Sequence, residues 1–383
     1  MYINTNTAAL FAQNAINSTD TAMQTQEQQL STGLSINSPA NNPSGMAIAN
    51  LMQGELGGLT AASQNASQAS NLLNTANGGM QTDVQIVQQI QQLAVQASNG
   101  TVTTQDQQDI QSQINSLLKQ VNNNAATINY NGLNLLNGSF GATASMSTTA
   151  TDNIQVSLGP DSGNAAAGTY TAKVAYNSAA GGDVVTITNK AGATVATATY
   201  TGSSTSTQAT VQMVAGTGSV LSGNSSFVVS FNAASVGAAS GTGAFTVKAA
   251  SNPLTFQVGA SQGAANTINA SLGAVTAKSL GLASVSVVGQ GNAQGAITLA
   301  ANALSMLTNA QGQIGSQLDQ INYTTSNLAT QNTNLQAAQS TIQDANMAQV
   351  SSAFSQSQVL QQTGLQALAT ADQLPQAVLK ILG

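Results

Sequence analysis

The side chains that could do chemistry in this 383-residue chain are few, and the missing types decide more than the ones present. The chain has no His and no Cys, and its six basic residues are all Lys. Those absences remove Ser-His, Cys-His and His-metal chemistry together, along with the guanidinium forks that clamp phosphate or carboxylate. The one paired arrangement is Asp106 and Asp109, close to where a helix is expected to begin. Two carboxylates so placed could exchange protons or hold a cation. In the first turns of a helix they also complement its dipole, and that is the reading adopted. Lys380, in the last turn of the final helix, complements the opposite end in the same way. No catalytic, cofactor or metal site follows, and the chain is not expected to be an enzyme. A secreted hydrolase would need a site without His.

Charge narrows the partners further. Charged residues make up 5% of the chain, against about 25% in ordinary domains, and the net charge is −6. Such a chain repels nucleic acid and anionic membranes. No stretch approaches the roughly 20 apolar residues of a membrane span. Met1-Tyr-Ile-Asn-Thr-Asn6 has neither the basic segment nor the apolar run of a secretory leader, which predicts a cytoplasmic protein or one exported by a signal-independent route. A fold with few ion pairs also has little to lose on protonation, so its stability should vary little with pH, as would suit an acidic medium.

The elements that carry these residues show a period of seven. Met52, Leu59, Ala66, Leu73, Met80, Val87 and Ala94 form one ladder, and Leu307, Ile314, Ile321, Leu328, Leu335 and Ile342 a second. Each places one narrow seam on a helix, which is buried when another helix lies along it. At about 1.5 Å per residue the first ladder is roughly 65 Å long. A companion series, Ile48, Ala62, Ala69, Ala76, Ile90 and Ala97, is mostly small, so helices approach closely but bury little area each. With only 3% aromatic residues and no Trp, the core is expected to be aliphatic and one monomer marginally stable, with contacts between copies supplying more.

Ala9, Ile16, Met23 and Leu30 predict a first helix that Gly33 closes, and Pro39 and Pro43 prevent its continuation. The long ladder helix follows from about Pro43 to Ser98. A second opens at Thr104, with Thr104-Gln-Asp-Gln107 as capping box and Ile110, Ile114, Leu117, Val121 and Ile128 on one face. From about 141 to 252 the composition turns to Ser, Thr, Gly, Ala and Val with period two. Val184–Thr188 and Thr194–Thr201 flank Asn189-Lys-Ala-Gly192 as a hairpin, and 227–231 and 244–248 read as further strands. Short strands are expected at 254–258 and 284–288, then a helix over 296–342 and a last one over 350–382. The Ser203–Thr207 cluster reads as solvated loop.

The expected fold is mainly α and nested, with long antiparallel helical coiled-coil or bundle domains built from both termini and a β-rich insert between them. The expected boundaries are 1–42 with 345–383, 43–140 with 253–344, and 141–252.

Both ends of the chain resemble bacterial flagellin. The matching residues near the start are Ile3-Asn-Thr-Asn6, Leu30-Ser-Thr-Gly-Leu34, Ile36-Asn-Ser38, Gly45-Met-Ala-Ile-Ala49, Leu93-Ala-Val-Gln-Ala97 and Tyr130-Asn-Gly132. Towards the other end they are Phe256-Gln-Val-Gly-Ala260, Leu280-Gly-Leu282, Ile342-Gln-Asp-Ala345, Leu360-Gln-Gln-Thr-Gly364, Ala367-Leu-Ala369, Gln373-Leu-Pro-Gln376 and Val378-Leu379. About two thirds of the chain is covered; the insert is not. The resemblance implies a structural subunit that polymerises into the flagellar filament for motility and is exported unfolded through the flagellar secretion channel. It further implies an extracellular place in the filament, and an export chaperone, a filament cap and hook-associated proteins as partners. A hook-filament junction protein shares the terminal pattern and is the alternative.

On that resemblance the inner tube is lined by Leu10, Ile16, Met23, Leu30, Phe354, Leu360, Leu368, Leu374, Val378 and Leu379, in terminal segments that order on assembly. The surrounding shell uses the seam Met52, Leu59, Leu73, Met80, Val87, Ile314, Ile321, Leu328, Leu335 and Ile342. The insert faces the medium, and its Ser and Thr residues are candidates for O-glycosylation. Two departures matter. Ser35, Ala40, Asn41 and Asn42 stand where the family usually carries charges that pair between subunits. Gln89, Gln91 and Gln92, before Leu93, and the facing Gln113 replace charged residues of the segment that the host innate receptor recognises, which predicts weak activation.

Overall fold

In a computed structural model the described residues are 6–146, 154–160, 167–177, 182–200, 209–214, 226–231, 241–248 and 253–382. The Ser203–Thr207 cluster lies outside them. Five long helices carry the ends of the chain: α1 (Thr7–Thr32), α2 (Pro43–Ala97), α3 (Thr104–Thr127), α4 (Gln290–Gln343) and α5 (Met347–Leu382). The chain divides into two compact units, Met1–Ala61 with Asn327–Gly383, and Ala62–Ser326.

In the unit Ala62–Ser326 the seam of α2 is closed. Leu73, Met80, Val87 and Ala94 are buried, as are Ala62, Ala69, Ala76, Ile90 and Ala97 of the companion series. Facing them are Ile110, Ile114, Leu118, Val121 and Ala125 of α3, the start of α4 through Leu307, Ile314 and Ile321, and the segment from Val258 to Val287. Leu118 rather than Leu117 is the fully buried residue, since the fourfold step 110-114-118 keeps to the contact face. Gly79 lets the region beyond α3 dock: a Cβ there would collide with the Ile128 side chain and stand 3.0 Å from Leu136. Strands β1 (Asn129–Tyr130) and β2 (Leu133–Asn134) then form a small hairpin over Asn131-Gly132, both in left-handed backbone.

Two sequence expectations are corrected here. The capping box of α3 is Thr103 with Asp106: Thr103 Oγ1 accepts from Asp106 N, and Asp106 Oδ2 accepts from Thr103 N. Adjacent threonines allowed either frame, and Gln107 turns inward instead of capping. Residues 284–288 do not form a strand. Val285 and Val287 are buried as alternation implies, but side chains from α3 take the place of a partner strand. Gln111 accepts from Val287 N at 2.8 Å and donates to Val285 O at 3.1 Å, while Gln107 accepts from Gly289 N at 2.8 Å and donates to Ala97 O at 3.0 Å.

Among the described residues of the insert the strands pair antiparallel. One sheet runs β3 (Thr143–Met146), β10 (Gly241–Lys248), β5 (Gly168–Asn177), β6 (Gly182–Asn189), β7 (Thr194–Tyr200), and a second runs β4 (Gln155–Leu158), β9 (Ser226–Phe231), β8 (Ala209–Val214). The predicted hairpin is β6–β7, with Gly192 at φ +81° in its turn. Tyr170 of β5, Phe245 of β10 and Phe227 of β9 meet across the two sheets with ring centroids 5.6–6.4 Å apart. The expectation of an aliphatic core is corrected here, where Tyr170, Phe227, Phe231 and Phe245 are buried, while the buried residues of the helical core are all aliphatic. The return to α4 passes β11 (Leu254–Gln257) paired with β12 (Thr267–Ala270). There Gly273 packs against the Pro160 backbone so closely that no side chain would fit.

Candidate functional site

In the unit Met1–Ala61 with Asn327–Gly383, the two ends of the chain pair. Asn6 caps α1 by accepting from Ala9 N at 3.2 Å, and its Nδ2 also donates to Ala371 O of α5 at 2.8 Å. Further along, Gln361 donates to Asp20 at 2.6 Å, and Gly364 sits against Ile16, where a Cβ would come within 3.0 Å. Rising numbers on α1 meet falling numbers on α5, so the helices are antiparallel. The pair is clamped where both break. Gly33, at φ +74°, closes α1 and accepts from Ala345 N at 2.8 Å, and Ser35 N donates to Gln343 O at 2.7 Å. These contacts use backbone and amide groups together with the Asp20 carboxylate.

What this pairing leaves open is the candidate site. No residue of α1 is buried. Ile16, Met23 and Leu30 are half-buried, as are Phe354 and Leu368 on α5, whereas Leu10 and Leu360 are exposed. Leu374, Val378 and Leu379 continue the backbone of α5, and their side chains lie outside the described set, as does that of Lys380. Sequence reasoning missed Phe11, 82% exposed, and Leu51, 75% exposed; Val359 and Leu365 are exposed as well. Phe11 falls off the sevenfold ladder of α1. An aromatic residue outside the seam of a helix was the available signal.

The shell seam fades in this same unit. Leu59 and Leu328 are buried, but Met52, Leu335 and Ile342 are only half-buried. Ile48 is exposed, contrary to the companion series, because Ala49 takes the inward place beside it. A shallow groove between Glu55 and Leu59 on α2 and Gln331, Asn334, Leu335 and Ala338 on α4 marks the gap. Nearby, Gln339 donates to Gln53 at 2.9 Å. In the other unit Gln89, Gln92 and Gln113 are exposed, and Gln91 and Leu93 half-buried, on α2 and α3. Among the described residues no cluster of acidic side chains could hold a metal ion, and no helix is long and apolar enough to cross a membrane.

The pairing leaves apolar side chains of α1 and α5 uncovered. The family model for the bacterial flagellin N-terminal helical region matches residues 3–141, and that for the C-terminal helical region matches residues 297–382. The chain belongs to the bacterial flagellin family. Flagellin B of Vibrio anguillarum is 28% identical over 100% of this chain and 99% of its own length. Flagellin D of Vibrio cholerae is likewise 28% identical over 100% and 99%. A flagellin of Clostridium tyrobutyricum is 29% identical over 91% of this chain and 93% of its own. Among solved structures, FliC from Burkholderia pseudomallei is 20% identical, covering 66% of this chain and 99% of its own, at a TM-score of 0.29. The flagellar junction protein FlgL from Legionella pneumophila is 14% identical, covering 72% and 99%, at 0.32. As a flagellin the chain is a structural filament protein and not an enzyme, and the helical ends read from the sequence are the parts that the family models match.

Proposed function

We propose that this chain works by polymerising through α1 and α5, which line the inner tube of an extracellular filament with Leu10, Phe11, Ile16, Met23, Leu30, Phe354, Leu360 and Leu368. Residues 1–42 with 345–383 form that tube, 43–140 with 253–344 a surrounding shell, and 141–252 a domain facing the medium. The observation that carries the reading is a helix pair with matched hydrogen bonds and closely fitted backbones that nevertheless leaves α1 without one buried residue. An ordinary closed bundle buries its seam. Export of the unfolded chain, shielding by a chaperone, and assembly under a cap beyond hook-associated proteins belong to the same reading. So does weak activation of the host innate receptor through Gln89, Gln91, Gln92, Leu93 and Gln113.

The test is polymerisation of purified protein followed by sedimentation and electron microscopy. Phe11→Asp and Leu360→Asp should abolish filaments while leaving the circular dichroism of the monomer close to wild type. Filaments of normal length from both variants would refute the assignment. A receptor reporter assay compares this chain with a variant carrying Arg at 89 and 91 and Glu at 92. Equal potency of the two would remove the receptor part alone.

A further inference from the structure

Asp83 is buried on α2, in the middle of the aliphatic core of the unit Ala62–Ser326. Its Oδ1 accepts from Asn124 Nδ2 at 2.7 Å, and its Oδ2 has no partner. Asn124, itself buried, accepts in turn from Gln120 Nε2 at 2.9 Å, so the surrounding polar groups are neutral amides. The charged side chains carried by the elements of this core are Glu55 on α2, Asp106, Asp109 and Lys119 on α3, Asp319 on α4 and Lys278 after β12, and none of them is buried. An ionised carboxylate at this place would have one hydrogen bond and no counter-charge, an arrangement that burial penalises. The neutral acid avoids that uncompensated charge.

We propose that Asp83 works in its protonated form and that the helical core around it is strengthened, not weakened, by acid. Burial pushes its carboxyl up to about 6, against a smaller lowering by the Asn124 hydrogen bond. A folded-state value above the unfolded one means that the folded chain holds the proton more tightly. The stabilisation is therefore complete below the ordinary value of 3.8 and is lost as pH rises through about 6. Asp183, buried in the insert, is shifted upward by burial too and acts in the same direction. Exposed Asp106 is held low by its hydrogen bonds to Thr103 and acts in the opposite one. The contacts that tie helices to neighbouring segments, from Gln107, Gln111, Asn122 and Asn65, are amide bonds that do not titrate. The composition predicted a pH-indifferent fold. A buried lone acid makes it an acid-preferring one, whether or not the chain polymerises.

Urea unfolding of the full chain between pH 4 and 7 tests this against Asp83→Asn, which keeps the acceptor for Asn124 and cannot ionise. The wild-type folding constant, divided by that of the variant, should rise by about 50-fold from pH 7 to pH 4. A ratio that is flat or falls overturns the proposal. Should the variant not fold, infrared difference spectra of the wild type decide. A protonated carboxyl band that persists above pH 5 in the folded wild type and in Asp183→Asn alike supports the assignment, and its disappearance together with the exposed carboxylates rejects it.

Discussion

Replacing Gln111 with Leu removes the side chain that stands in for a strand beside residues 285–289, and the cost can be reasoned bond by bond. Val287 is fully buried, and its N–H has Gln111 Oε1 as acceptor at 2.8 Å. Val285 O loses the 3.1 Å bond from Nε2 at the same time. A buried N–H left without an acceptor costs about 1–3 kcal/mol, and packing of the Leu side chain at a half-buried position offsets only part of it. Gln111→Leu should therefore destabilise the unit by about 2 kcal/mol. Gln107→Leu is the internal control. Its acceptor bond goes to Gly289, a residue that water can reach, leaving mainly the Ala97 carbonyl at the end of α2 unpaired. That variant should lose about 1 kcal/mol. Urea unfolding gives the two free energies, and native-state hydrogen exchange should show the Val287 amide at least about 10-fold less protected in Gln111→Leu. Because amides do not titrate, both losses should be equal at pH 4 and pH 7. Unchanged exchange at Val287, or a larger loss in Gln107→Leu, would contradict the reasoning.

Gly79→Val should cost about 1–3 kcal/mol by forcing Ile128 and Leu136 aside, whereas Gly78→Ala, facing open space one residue earlier, should gain about 0.5–1 kcal/mol from helix propensity; thermal denaturation of the pair separates packing from backbone entropy. Thr103→Ala should lower the melting temperature more at neutral pH than near pH 3. The Thr103 bonds hold the Asp106 carboxyl below its ordinary range, so their contribution is present above the unfolded value and vanishes as acid protonates the folded group. Equal losses at both pH values would show that the box is not formed.

Much of this was legible because the helices obey one period. The seams around Leu73, Val87, Leu307 and Ile314 need only their sevenfold spacing, and Gly33 with its positive φ ends α1 where its residue type implies. The capping box slipped by one because Thr103 and Thr104 are equivalent until the fold chooses. Residues 284–288 misled for a deeper reason: alternation reports which side chains are buried, not which group satisfies the backbone between them. Strands β6, β7, β9 and β10 could be read by period two, but the insertion of β10 between β3 and β5 joins segments far apart in the chain, for which local pattern carries no signal. Asp83 gave none either, since an acid among apolar residues on α2 reads as a solvated position until its burial is seen.

The two units differ in what completes them, and that difference bears on how a polymer of this chain would hold. Helices α2 and α4 contribute to both. Where α3 and the segment from Val258 to Val287 cover their seams, Leu73, Met80, Val87 and Leu307 are sealed. In the other unit Met52, Leu335 and Ile342 on the same two helices stay half-exposed, and α1 has nothing buried. Extra hydrophobicity in the termini would close such a gap but would also expose larger apolar surfaces in any free subunit. In the proposed filament, neighbouring copies would close it conditionally instead. A partner that binds only the ordered state stabilises it by RT ln(1 + [L]/Kd), about 2.7 kcal/mol at 100 times Kd. On that proposal the weakly buried terminal helices would be held mainly where subunits are concentrated, at a growing end. In that arrangement the order of the α1 and α5 pair depends on subunit concentration, while the core around Asp83 depends on pH, so dilution and neutralisation would loosen different parts of the same chain.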